Sequence, residues 1–198
     1  MRTGTRSRRA LVAGTLAPVL AGLGAPPLRV LDAGGGDGRD AVELARLGHD
    51  VTVLDSSGRA LAAAQERAAE AGVAHRVRTV DADLDDIAAL AALTHHRAGG
   101  SGSFDLVLCH DVLPARGTLA QVVADVAALT SSVHAGGAVS LLAPVGRPAR
   151  TGLLRLERDL VRGALLASGC EIVHEERDVV DEVSGVSHWH LVARRHGD

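Results

Sequence analysis

The sequence predicts a doubly wound α/β sheet, a mostly parallel layer with helices on both faces and a closing β-hairpin. Three observations predict it. Short apolar runs alternate with helix-like stretches from residue 28 onward. The first run, Val30-Leu31-Asp32, breaks into a turn with glycines at 34, 35, 36 and 38. The last two runs meet across Ser184-Gly185 with no helix between them, as hairpin strands do.

The 198 residues suit one domain with a sizeable core. We expect 1–198 to be that domain, with 1–25 as an N-terminal lid helix and 26–198 as the sheet. Apolar residues make up 46% of the chain, with one Phe, one Trp and no Tyr. The core is therefore aliphatic, and stacking platforms for single-stranded nucleic acid are scarce. A net charge of −3 gives no nucleic-acid signature, so no DNA partner is expected. Cys109 and Cys170 fall in expected buried strands and read as reduced core thiols.

No apolar run reaches membrane-spanning length. Ser7-Arg8-Arg9 and the apolar stretch behind it imitate a twin-arginine export signal. Polar residues and Pro18 interrupt that stretch, and cleavage would leave the first strand almost at the new terminus. Cytoplasmic residence is the expectation.

Residues 10–23 have helical spacing, with Pro18 starting a second segment or kinking the helix. Arg2, Arg6, Arg8 and Arg9 precede it, as a solvated terminus or as a lid over a ligand. The first strand covers 28–32 and feeds the glycine turn and a helix over 40–47. Strand, glycine turn and helix in succession hold nucleotide-like ligands in α/β sheets. A dinucleotide fingerprint wants glycine at 39, where this chain has Arg39. The pattern is instead Gly34-x-Gly36-x-Gly38.

The second strand, 50–54, ends in Asp55, about twenty residues beyond the turn, where an acid can accept hydrogen bonds from ribose hydroxyls. Ser56 and Ser57 can cap the next helix, 58–71, leaving Asp55 to that task. The third strand, 76–80, runs into Asp81-Ala82-Asp83. Asp83 either accepts from an adenine amino group or caps a helix over 85–93. His95 and His96 are adjacent on a loop over 95–103 with no third ligand, so no metal is expected.

The fourth strand, 104–109, is followed by His110 and Asp111. Its carboxyl end opens on the ligand crevice, so these two are the best placed ionisable groups near a reacting centre. Asp111 reads equally well as a polar loop residue. A helix over 118–130, a strand over 138–143 and a Pro/Gly loop over 144–150 follow. The helix over 151–168 carries Arg155, Arg158 and Arg162 on a solvated, salt-bridged face. Strands over 171–177 and 186–193 close the chain. His188 and His190 share one face of the last strand and read as satisfied strand histidines.

LDAGGGDG, VTVLD, DADLDD, FDLVLCHDVL and HAGGAVSLL stand in that order along the chain. Together they resemble the class I S-adenosylmethionine (SAM)-dependent methyltransferases over roughly residues 8–194. A closer resemblance is to the tRNA 5-carboxymethoxyuridine methyltransferases and their bacterial relatives. The resemblance implies a Rossmann-like, seven-stranded sheet of order 3-2-1-4-5-7-6 with the last strand antiparallel. It implies SAM as cofactor and S-adenosylhomocysteine (SAH) as product.

Carried over by residue, the resemblance brings Arg8, or Arg9 one position on, to the SAM carboxylate. Gly34 and Gly35 line the methionine part, and Asp32, Ala33, Gly36 and Gly38 belong to the same cofactor-binding turn. Asp55 meets the ribose and Ala82 and Asp83 the adenine, with Ser56 and Leu84 as further cofactor-binding residues. His110 sits beneath the cofactor near the methyl group, shaping its pocket.

The tRNA enzymes carry a long basic and aromatic insertion after the fifth strand, where this chain has only residues 144–150. They continue past the fourth strand with an aromatic residue, where this chain has Pro114-Ala115-Arg116. The expected function is methyl transfer to a small-molecule or RNA-nucleoside acceptor. His110 or Asp111 would serve as base where the acceptor needs one. The alternative is a SAM-binding family member or partner subunit without transfer. A dinucleotide-dependent oxidoreductase is disfavoured by Arg39. A homodimer that closes the thinly covered crevice is a further expectation.

Overall fold

The computed structural model describes residues 5–6, 16–86, 104–115, 117–145, 156–181 and 187–197. Its strands are β1 (Thr5–Arg6), β2 (Arg29–Ala33), β3 (Asp50–Asp55), β4 (Val77–Asp81), β5 (Phe104–His110), β6 (Val133–Pro144), β7 (Cys170–Asp181) and β8 (Ser187–Arg195). They form one sheet in the order β1-β7-β8-β6-β5-β2-β3-β4. Without the two-residue β1, this is the expected order 3-2-1-4-5-7-6. β8 runs antiparallel to both neighbours, and the other pairings are parallel. β1 adds a short edge beside β7 that no sequence period announced.

The helices are α1 (Ala17–Leu23), α2 (Arg39–Arg46), α3 (Gly58–Glu70), α4 (Leu119–Ser132) and α5 (Arg158–Ala167). Alternation along the central strands sorts their side chains between two cores. Val30, Leu106 and Leu108 join Leu20, Leu44 and Leu61 of α1–α3 on one face. Leu31, Val107 and Cys109 join Val126, Leu129 and Leu165 of α4 and α5 on the other. Both faces of a parallel sheet are covered, which is why its strands read as continuous apolar runs.

Residues 10–15 of the expected first helix lie outside the described residues, and Pro18 lies in the first turn of α1. Its missing N–H is one that no helical carbonyl would have used. β6 begins earlier than expected, at Val133, where it pairs with Phe104 before an irregularity between Phe104 and Leu106. Arg158 and Arg162 both pair with Glu175 of β7, the salt-bridged face read from the sequence. Arg155, His95 and His96, and most of the helix expected over 85–93, lie outside the described residues. Cys109 and Cys170 are buried thiols, and burial pushes the Cys170 thiol up from its ordinary range. No helix among the described residues is long and apolar enough to cross a membrane.

Candidate active site

The site begins where β2 ends. The amides of Gly34 and Gly35 both donate to the Leu54 carbonyl, at 2.7 and 3.3 Å, tying the turn to β3. Gly34 has φ +72°, and a Cβ there would stand 2.3 Å from Val112 Cγ2. Gly38 has φ +71°, and a Cβ there would stand 2.8 Å from Ala64 Cβ of α3. One glycine lets the turn pass under the segment after β5; the other lets α3 pack against the start of α2.

Asp55 stands at the carboxyl end of β3. Its Oδ2 accepts the Gly36 amide at 3.0 Å, and its Oδ1 accepts the Ser57 amide at 2.9 Å. Ser57 caps α3 through its hydroxyl, which accepts the Ala60 amide at 3.3 Å. Capping therefore falls to the serine, as the sequence predicts, and Asp55 braces the glycine turn. Asp83 Oδ1 accepts the Asp85 amide at 3.0 Å; most of the helix that it would cap lies outside the described residues.

Two clefts meet over the turn. One, of about 130 Å³, is lined by Gly34, Leu54, Asp55, Ser56, Ala82, Asp83, Leu84 and Val112. The other, of about 260 Å³, holds Asp32, Gly34, Gly35, Gly36, His110 and Asp111, together with Asp37, Arg39, Asp40 and Val112. Gly34 and Val112 belong to both. Two expected residues line neither. The Ala33 side chain is packed in the core, and Gly38 is spent on the contact with α3. Arg8 and its rival Arg9 lie outside the described residues. A third cleft, of about 280 Å³, opens at the amino ends of the strands between Arg29, Arg76 and Arg78, away from the glycine turn. There Arg76 pairs with Asp50 at 2.9 Å.

His110 is held at both ring nitrogens. Nδ1 lies 2.9 Å from Asp40 Oδ2 and Nε2 lies 3.0 Å from Ser140 Oγ. Ser140 Oγ lies in turn 2.8 Å from His190 Nε2. Asp111 has φ +62°, and its amide donates to the Leu142 carbonyl at 2.8 Å. Its carboxylate meets His188 Nε2 at 3.0 Å. His188 and His190 share one face of β8, as expected; His188 meets Asp111 at the crevice, and His190 meets Ser140, which in turn meets His110. The sequence reading missed Asp40 and Ser140, which lie 70 and 30 residues from His110 in the chain. No local period connects positions so far apart. Leu54, Val112, Asp37 and Arg39 were also missed as lining residues.

A family model described as a methyltransferase domain matches residues 30–132. The tRNA 5-carboxymethoxyuridine methyltransferase of Escherichia coli K12 is 33% identical over 139 residues, covering 68% of this chain. The chain spans 47% of that relative's length. The fold is shared with magnesium protoporphyrin IX methyltransferase from Synechocystis PCC 6803, solved with bound SAM. That match has a TM-score of 0.72 at 23% identity and covers 94% of this chain and 79% of the other. It is also shared with 1,6-didemethyltoxoflavin-N1-methyltransferase from Burkholderia thailandensis, at TM-score 0.71 and 20% identity, over 95% and 78% of the two chains. Sheet order, glycine turn, acid at the end of β3 and matched domain agree: the chain belongs to the class I SAM-dependent methyltransferase family.

Proposed function

We propose that this chain binds SAM across the two clefts and transfers its methyl group to a small-molecule or RNA-nucleoside acceptor. The observation that carries the proposal is the Asp55 carboxylate, braced against Gly36 where the clefts meet. The residues present fit the cofactor. Gly34, Gly35 and Gly36 line the larger cleft with backbone, a Cβ at Gly36 would meet no protein atom within 4 Å, and Asp55 offers a carboxylate at the strand end suited to accept from ribose hydroxyls. Asp32, Asp37, Asp40 and Asp111 line the larger cleft against Arg39, which is itself hydrogen-bonded to Asp37. That lining favours a ligand carrying positive charge.

In this reading Asp55 and Ser56 hold the ribose, and Ala82, Asp83 and Leu84 the adenine. Asp32, Gly34, Gly35 and Gly36 hold the methionine part. Ala33 and Gly38 shape the turn from behind. Arg8, or Arg9 beside it, holds the methionine carboxylate. When bound, SAM supplies a methyl group activated on a sulfonium centre. The protein's task is alignment and exclusion of water, which can contribute roughly 7–11 kcal/mol. A carboxylate acceptor needs no base; for a hydroxyl or amine acceptor, Asp111 takes the proton. His110, bonded at both nitrogens, walls the pocket.

The Escherichia coli relative supports an RNA nucleoside as acceptor, and the acidic lining supports a small neutral or cationic molecule. Transfer of labelled methyl from SAM to tRNA or to small alcohols and amines separates the two. Binding of SAM with transfer to none of them would identify a family member without catalysis. Closure of the crevice by a second copy in the cytoplasm belongs to the same reading, and sedimentation with and without SAH tests the dimer.

A further inference from the structure

His110 and Asp111 are consecutive residues at the end of β5, and each is tied to a buried histidine of β8. The β8 pair stands two residues apart, so both rings project from one face of that strand. A row of hydrogen bonds crosses the sheet from α2 to β8, at 2.9 Å from Asp40 to His110, 3.0 Å to Ser140 and 2.8 Å to His190. Ser140 and His190 are fully buried, and the side chains of His110 and Asp40 are 2% and 7% exposed.

The chemistry of the row gives it a direction. An ionised carboxylate only accepts, so His110 Nδ1 carries the hydrogen facing Asp40. A neutral ring then accepts the Ser140 hydroxyl at Nε2, and the Ser140 oxygen accepts the His190 N–H. Every bond points the same way, toward Asp40. In a low-dielectric interior such a row is rigid when complete, and breaking one link is costly. His110 therefore cannot turn its ring toward a ligand without breaking one of these bonds.

Asp111 is the complementary case. Its side chain is 40% exposed to the crevice, whereas that of His188 is 9% exposed. A positive φ in a non-glycine residue is strained and persists where surrounding structure imposes it. Here the Leu142 carbonyl fixes the Asp111 amide and His188 fixes its carboxylate.

We propose that His188 and His190 are positioning residues of the crevice. His190, through Ser140, fixes the His110 ring, and His188 fixes the Asp111 carboxylate. The inference rests on the reading of the crevice as the cofactor site. It assigns the sheet's antiparallel strand a part in binding that the glycine turn alone does not supply.

The test is two-bond proton–nitrogen NMR of the histidine rings in the full chain, free and with SAH, joined to SAH titrations. The free wild type shows His110 protonated at Nδ1, and SAH leaves that tautomer unchanged. Ser140→Ala and His190→Leu remove or loosen the hydroxyl bond at Nε2: the His110 Nε2 resonance moves toward that of a free unprotonated imidazole nitrogen, Asp40 keeps the hydrogen on Nδ1, and SAH binds about tenfold more weakly. His190→Gln, which keeps an N–H donor, restores both to near wild type. His188→Leu weakens SAH by a similar factor without changing the His110 tautomer, and His188→Gln recovers most of the loss. A wild-type His110 protonated at Nε2 alone overturns the proposal. So do folded Ser140→Ala and His188→Leu proteins that bind SAH as tightly as wild type. If the alanine and leucine variants fail to fold, the wild-type tautomer and the glutamine variants decide. A wild type that binds neither SAM nor SAH contradicts the functional reading instead, while the tautomer of the free protein is still measured.

Discussion

The Asp55 carboxylate joins two elements that the chain brings together from different directions. One oxygen takes the Gly36 amide at 3.0 Å and the other the Ser57 amide at 2.9 Å. The glycine turn and the entry to α3 are thus braced by one side chain. Asp55→Ala leaves both amides without that acceptor and should lower stability by about 1–3 kcal/mol. Asp55→Asn keeps one carbonyl oxygen but sets an NH2 against the second amide, so its loss should be comparable rather than rescued. Urea denaturation of the three proteins reads the difference.

Gly38 is the tightest test of the turn as architecture. Its φ is +71°, and a Cβ would press on Ala64 Cβ at 2.8 Å. Gly38→Ala should cost about 1–3 kcal/mol from overpacking and from the left-handed backbone together. Adding Ala64→Gly relieves the contact but not the backbone strain, so the double variant should recover only part of the loss. A double-mutant cycle by urea denaturation separates the two contributions.

The pH dependence of stability should carry a contribution from His49. Its Nδ1 accepts the Leu28 amide at 3.2 Å, which needs an unprotonated nitrogen. Burial, with the nearby Arg76 charge, holds its pKa below the ordinary 6.5. The unfolded chain therefore binds a proton more readily than the folded one as pH falls below 6.5. The stabilisation is complete above that pH and is lost as pH falls through the depressed folded value. Urea midpoints should decline below about pH 6.5 in wild type, and the decline should be shallower in His49→Gln.

Most of the fold was legible because each early element carries its own period and its own stop. The apolar run before Asp32, the four glycines behind it and the acid ending β3 are local signals. The positions of Asp55, Ser56, Ala82, Asp83 and Leu84 along one cleft follow from strand ends meeting on one side of a parallel sheet. What stayed hidden depends on contacts between distant segments. The early start of β6 was masked because α4 runs to Ser132 without a break and the glycines at 136 and 137 read as a turn. His188 and His190 looked like ordinary strand residues because Asp111 and Ser140 reach them only through the crossover order of the sheet. Asp40 looked like a first-turn helix acid, which it also is.

The most direct test of the central claim is calorimetric titration of wild type and Asp55→Ala with SAM and with SAH. The account predicts micromolar-range binding of both by wild type. It predicts at least about tenfold weaker binding by an Asp55→Ala protein that still shows a cooperative unfolding transition. A folded wild type that binds neither ligand, or an Asp55→Ala protein that binds them as well as wild type, would contradict it.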